Sequence, residues 1–224
     1  AKTKIKIKQI ELRKDILANL CLILNQRFKP ATKFIKAEIY SYIQRTVLDS
    51  VTADELKDGG FLAANFGIEK GTATNTVTTL ANIVANSAIV SVNKFRRSGK
   101  DIVGGIKFGI ILADYSDVLA CDGTNVLTDK GFTYNWLDWL IKKGQSLEIK
   151  EYNIRYIYNS GDPLYKYSRS GGAIMTKSKT GVWKVPIQFS GTEDDNWFTR
   201  CFSDGTDVNA DFGNFLQSVM NKYL

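Results

Sequence analysis

The chain has 224 residues, 44% hydrophobic and 12% aromatic, enough to bury a full core, so it is a globular protein and not a disordered one. Its formal charge is +7 and it has no histidine, which excludes Ser-His-Asp and Cys-His nucleophile systems, H-E-x-x-H zinc sites and the commonest general base. Cys21, Cys121 and Cys201 are odd in number and far apart, which excludes a complete disulfide framework and a zinc cluster by spacing, and fits a reducing compartment.

Neither a P-loop nor G-x-G-x-x-G occurs, and no stretch of eighteen apolar residues is present, so no membrane partner is expected. The apolar run over 16–24 has no small-residue cleavage site after it, so it does not read as a secretory signal. The basicity is local: residues 1–50 hold eleven Lys/Arg against four Asp/Glu, and residues 51–224 hold nineteen of each.

In chain order, residues 2–8 alternate as Lys-Thr-Lys-Ile-Lys-Ile-Lys, a period that suits an edge strand or an extended arm. Residues 1–10 therefore read as an extended basic arm, with one α+β domain over 11–224. The period then becomes helical over 11–28, where Leu12, Ile16, Leu20, Ile23 and Leu24 share one side, widened by Leu17 and Phe28, until Pro30 ends the run. A second helix is predicted over 31–49 with Ile35, Ile39, Tyr42, Ile43 and Val47 on one face. Core packing accounts for both faces.

Residues 50–67 read as a turn-rich connection, and a third helix is predicted over 75–86 through Val77, Leu80, Ile83 and Val84. Residues 88–96 and 102–112 form a hairpin about 97–100, and 125–128 add a short strand. Trp136, Leu137, Leu140 and Ile141 repeat at helical spacing over 133–143, with Gly144 as a C-cap. Residues 147–158 alternate as a strand, while 173–176 and 182–185 flank a turn at 178–181 as a second hairpin. Helices over 194–202 and 209–223 close the chain, the last burying Phe212, Phe215, Leu216 and Val219. The sum is α+β: N-terminal helices, a central antiparallel β-sheet with hairpins, and a C-terminal helix.

Two carboxylate clusters stand out, Asp114 with Asp117 and Asp122, and Glu193-Asp194-Asp195. Neither has EF-hand spacing; carboxylates in turns usually bond their own backbone, and the second cluster suits the start of the helix that follows it. Arg169 sits in Ser168-Arg-Ser-Gly-Gly172, a polar turn from which a guanidinium can grip a partner's carboxylate or carbonyl bidentately, or form an internal ion pair. Trp and Arg dominate interface hot spots, so Trp139, Trp183, Trp197 and Arg200 join Arg169 and the arm residues Lys2, Lys4, Lys6 and Lys8 as candidate interface residues. No catalytic, cofactor or metal residue is expected.

Three blocks are the helical third ending in Gly60-Phe-Leu-Ala-Ala-Asn-Phe-Gly67, the segment Trp136-Leu-Asp-Trp-Leu-Ile-Lys-Lys-Gly144, and the series Ser168-Arg-Ser-Gly-Gly-Ala-Ile-Met175, Trp183-Lys-Val-Pro-Ile-Gln-Phe-Ser-Gly191 and Asp195-Asn-Trp-Phe-Thr-Arg200. Their order resembles the neck and tail-completion proteins of tailed bacteriophages, where the corresponding stretches look like L-x-x-G-x-L-x-x-E-F-G, L-x-W-L-x-W-L-L-x-x-G, S-R-T-G-x-A-I-M and W-R-V-P-P-E-F-x-G-T-x-x-x-N-F-I-T-R. The likeness covers most of residues 50–202. Asn65 stands for the acidic residue, Lys184 for the arginine and Ile187-Gln188 for the Pro-Glu pair.

The resemblance implies a non-enzymatic subunit of a homo-oligomeric ring at the head-tail junction of the virion, attached to the connector below the capsid or capping the tail tube as a tail terminator, assembled in the host cytoplasm. Its partners would be other connector and tail proteins; the lysine arm would pair with or fold on a neighbouring subunit, face genome DNA in the lumen, or stay solvated. Two other readings are a nucleic-acid-binding module built on the basic arm and a metal-dependent hydrolase using Asp114, Asp117 and Asp122.

Overall fold

The computed structural model describes residues 9–110, 115–128, 131–144, 146, 148–203 and 206–223, and of 9, 10 and 206–210 the backbone alone. The elements in chain order are α1 (Gln9–Leu48), α2 (Val51–Leu56), α3 (Phe61–Phe66), α4 (Ala73–Asn86), β1 (Ala88–Ser98), β2 (Asp101–Ile110), α5 (Ser116–Leu119), β3 (Asn125–Leu127), β4 (Thr133–Asn135), α6 (Trp136–Asp138), β5 (Ile149–Tyr156), β6 (Ala173–Trp183), α7 (Trp197–Ser203) and α8 (Thr206–Tyr223). The class is α+β, with the expected strands divided among three two-stranded antiparallel sheets, β1-β2, β3-β4 and β5-β6. The chain divides into two compact units. Ala1–Ser41, Ala88–Ile111 and Asn209–Leu224 form the first, and Tyr42–Ser87 and Leu112–Val208 the second. The Lys2 to Lys8 arm lies outside the described residues.

In the first unit, the two helices expected on either side of Pro30 are one continuous helix. Proline removes a backbone donor and presses on the preceding turn, a cost of about 3 kcal/mol in a helix interior. The burial of Phe28, Ala31, Ile35 and Ile39 along one face offsets it. Replacing exposed Pro30 with alanine restores the missing N–H and is expected to stabilise the protein by about 1–3 kcal/mol, measured by urea unfolding; a loss of stability would show that the proline is needed where it stands.

The hairpin is tied to α1 through Asn25 and Phe28. Asn25 donates from Nδ2 to the Phe95 carbonyl and accepts from the Phe95 N–H, both at 2.8 Å, so its amide pairs with the strand as another peptide would. The Phe95 ring meets Phe28 edge-on at 5.1 Å. Opposite Gly104 the register shifts, so that Asn93 pairs with Gly105 and Arg96 with Val103. Gly104 has φ +145, and a Cβ there would lie 2.7 Å from the Lys94 carbonyl, so the bulge demands glycine. Helix α8 packs through Phe212 on Phe108 at 4.2 Å and Tyr223 on Phe34 at 5.7 Å. Of its expected buried residues only Val219 is fully covered; Phe212, Phe215 and Leu216 are half-buried.

In the second unit, the expected loop over 50–67 holds two short helices, because its turn residues act as caps. Ser50 Oγ accepts from the Ala53 N–H at 3.2 Å to start α2, and Gly67 closes α3 in the left-handed conformation, φ 64. The expected helix over 133–143 is a strand, β4, followed by α6 and a π-helical turn over Trp139–Lys143. Gly144 is not a left-handed cap: its backbone is right-handed helical, and a Cβ there would collide with the Trp139 carbonyl and come within 2.9 Å of Ser190.

The second expected hairpin is a single strand. β6 runs unbroken beside β5, and the irregularity falls between Lys150 and Tyr152, where Glu151 has φ 66. Where a turn was expected, residues 178–181 bulge between the Tyr152–Lys177 and Lys150–Val182 pairs, and pairing with β5 on both sides keeps the strand continuous. Phe66 of α3 is the centre of the core, within 6.1 Å of the rings of Trp136, Trp139 and Trp183.

Candidate functional site

The candidate Trp and Arg residues all lie in the second unit, and most of them are scaffold. Trp183 and Trp197, candidates for either an interface or the core, are 4% and 2% exposed and belong to the core. Trp197 donates from Nε1 to Ser50 Oγ at 2.9 Å and stacks on Phe198. Trp139 is half-buried and stacks on Tyr134, ring centroids 4.6 Å apart and planes 7° apart. Tyr134 in turn donates its hydroxyl to the Phe66 carbonyl, and burial pushes its phenol up to about 12.

Arg200 clasps Asp195 through Nε at 2.7 Å and Nη2 at 2.8 Å, and Nη2 also donates to the Ser190 carbonyl at 3.0 Å. It ties the start of α7 to the segment before it, a use of the guanidinium fork that lysine does not reproduce. These N–H groups hold the Asp195 carboxyl below its ordinary value, so the pair's contribution is present above the carboxylate range and is lost as pH falls through it. Arg169 is half-buried and donates to the Leu127 carbonyl, while its own carbonyl accepts from the Lys70 N–H at 3.2 Å. The polar turn is thus sewn to β3 and to the loop ahead of α4. The three elements line a cleft of about 450 Å³.

Sequence reasoning missed Asn65 and Asn196. Asn65 donates to the Phe61 carbonyl at 2.9 Å and the Tyr156 hydroxyl at 3.1 Å, and accepts from Trp183 Nε1 at 3.3 Å, joining α3 to both strands of the β5-β6 sheet. Asn196 caps α7 in place of the expected carboxylates, accepting from the N–H groups of Phe198 and Thr199, while Glu193, Asp194 and Asp195 face solvent. Lys184 pairs with Glu148.

Asp117 and Asp122 are exposed and Asp114 lies outside the described residues. Among the described residues no three of Cys, Asp and Glu gather closely enough to hold a metal ion, no buried side-chain polar atom lacks a hydrogen-bond partner, and no helix is long and apolar enough to cross a membrane.

The surface that stands out belongs to α1 in the first unit. Leu12, Ile16, Leu20 and Ile23, expected to pack into a core, are 46%, 55%, 41% and 47% exposed, and Leu22 beside them is exposed as well. The same helix buries Phe28, Ala31, Ile35 and Ile39, whereas the stripe ahead of Phe28 stays exposed. Contiguous apolar surface of this kind marks an interaction site. In comparison with known proteins the chain matches no family model, no curated protein and no solved structure.

Proposed function

We propose that the chain is a structural, non-enzymatic subunit that repeats in a ring at the head-tail junction of a tailed bacteriophage. The observation that carries the assembly role is the exposed stripe Leu12, Ile16, Leu20 and Ile23. A ring needs heterologous contacts, each subunit offering one face to a different face of the next, and an apolar helix stripe suits one of those two faces. The place in the virion is supported by the resemblance of the sequence blocks over 50–202, in which Phe66, Trp136, Trp183 and Arg200 build the subunit's own frame.

Light scattering behind size exclusion tests the assembly. Wild-type chain is expected to form oligomers as concentration rises, and an Ile16→Asp, Leu20→Asp variant is expected to remain monomeric with an unchanged melting temperature, since both residues already face solvent. A wild type that stays monomeric at every concentration, or a variant that assembles as the wild type does, would overturn the role of the stripe. Gold label on a tagged copy, confined to the head-tail junction of intact particles, tests the location; label on the capsid, or its absence from particles, would exclude it.

A further inference from the structure

Charge in this molecule is divided between the two units. The first unit, residues 1–41, 88–111 and 209–224, contains sixteen of the thirty Lys/Arg and five of the twenty-three Asp/Glu, a net +11, which leaves the second unit fourteen against eighteen, a net −4. The arm does not account for this. Without Lys2, Lys4, Lys6 and Lys8 the first unit still has twelve cations against five anions.

Folding gathers these cations from two distant stretches of sequence. On α1, Lys29, Lys33 and Lys36 follow one another at i, i+4 and i+7 and, with Tyr40 a turn further on, line an open groove of about 520 Å³. They lie on the side of the helix away from the buried Phe28, Ala31, Ile35 and Ile39. On the hairpin, Lys94 and Arg96 flank Phe95, whose backbone and ring are locked to Asn25 and Phe28, and both cations are exposed. Arg97 and Lys100 occupy the hairpin tip and Lys107 the return strand, all exposed. The Asn25 lock thus sets the basic end of the hairpin beside the turn of α1 from which the lysine row departs.

We propose that this hairpin and helix face of the first unit bind the phosphate backbone of duplex nucleic acid, independently of the N-terminal arm. A duplex presents one negative charge per ~1.7 Å of axis, which suits cations spread along a helix and a ribbon better than a point partner does. A two-stranded ribbon is also one of the two shapes that the major groove admits. Nothing in the pattern offers base readout, so the binding is expected to be independent of sequence.

The test is fluorescence anisotropy of a labelled 24-base-pair duplex of mixed sequence, titrated with full chain from low to physiological KCl. Wild-type affinity is expected to fall linearly on a log-log plot against salt. A Lys94→Gln, Arg96→Gln, Arg97→Gln, Lys100→Gln variant, whose changes are all exposed, is expected to lose at least ~30-fold in affinity and to flatten the slope by about 3.6, since each lost phosphate contact removes ~0.9. A Lys29→Gln, Lys33→Gln, Lys36→Gln variant is expected to weaken binding in the same way, and deletion of residues 2–8 to leave most of it. Binding that survives in the hairpin variant, or disappears on deletion of the arm alone, overturns the proposal. So does a wild type that ignores the duplex and instead takes up an acidic protein surface.

Discussion

A Phe66→Ala variant is expected to lose about 3–5 kcal/mol of stability, the cost of removing a fully buried aromatic side chain from a packed core. The value should fall toward the upper end because the cavity has little chance to collapse. Phe66 touches three indole rings, and each is fixed from elsewhere: Trp136 by its Nε1 donated to the Gly123 carbonyl at 2.9 Å, Trp183 by its bond to Asn65, and Trp139 by its stack on Tyr134. The Phe66 carbonyl is also the acceptor for Tyr134. Equilibrium unfolding in urea followed by tryptophan fluorescence reads the effect directly. A loss below ~1 kcal/mol would mean that the three rings close over the gap and do not form a rigid frame. Phe66→Leu, which retains more of the volume, is expected to recover a large part of the loss.

Replacing Asn196 with aspartate is expected to destabilise by about 3 kcal/mol, although aspartate is as good an N-cap as asparagine on helix grounds alone. The buried amide has two jobs. Its oxygen accepts from the N–H groups of Phe198 and Thr199 at 3.0 and 3.3 Å, which aspartate preserves. Its nitrogen donates to the Tyr115 hydroxyl at 2.8 Å and to the carbonyls of Thr192 and Glu193 at 2.9 and 3.1 Å, which a carboxylate reverses by placing a charged acceptor against acceptors. The new carboxyl would have a folded-state pKa above its unfolded value, so the penalty grows as pH rises through the carboxylate range and shrinks below it. Thermal melts of both proteins at pH 4 and pH 7 check this; equal stability at pH 7 would show that the amide nitrogen contributes nothing.

Phe66 and Asn196 both belong to the second unit. Both variants are expected to leave duplex binding by the first unit unchanged, whereas the glutamine variants of the hairpin are expected to leave the aromatic core intact.

What the sequence determined by itself is the part of the structure governed by short-range periodicity. The 3.6-residue spacing marked α4, α7 and α8, the alternation over 147–158 marked β5, and the apolar pair of runs about 97–100 marked the first hairpin, because each pattern is set by which side of a local element must leave water. Tertiary contacts decided the rest. Pro30 does not divide α1, since burial on both sides of it outweighs a penalty that is local. Residues 178–181 bulge within a strand instead of turning, since β5 pairs with the residues on both sides of them, which no local pattern reveals. The cap of α7 is Asn196, whose amide both accepts from the helix and donates to buried carbonyls, as a carboxylate does not. The candidate surfaces divide in the same way. Periodicity found the apolar stripe of α1 but not that it stays in water, and composition found the basic arm but not the second basic surface. That surface depends on Asn25 and Phe95, seventy residues apart, meeting to lay a hairpin against a helix.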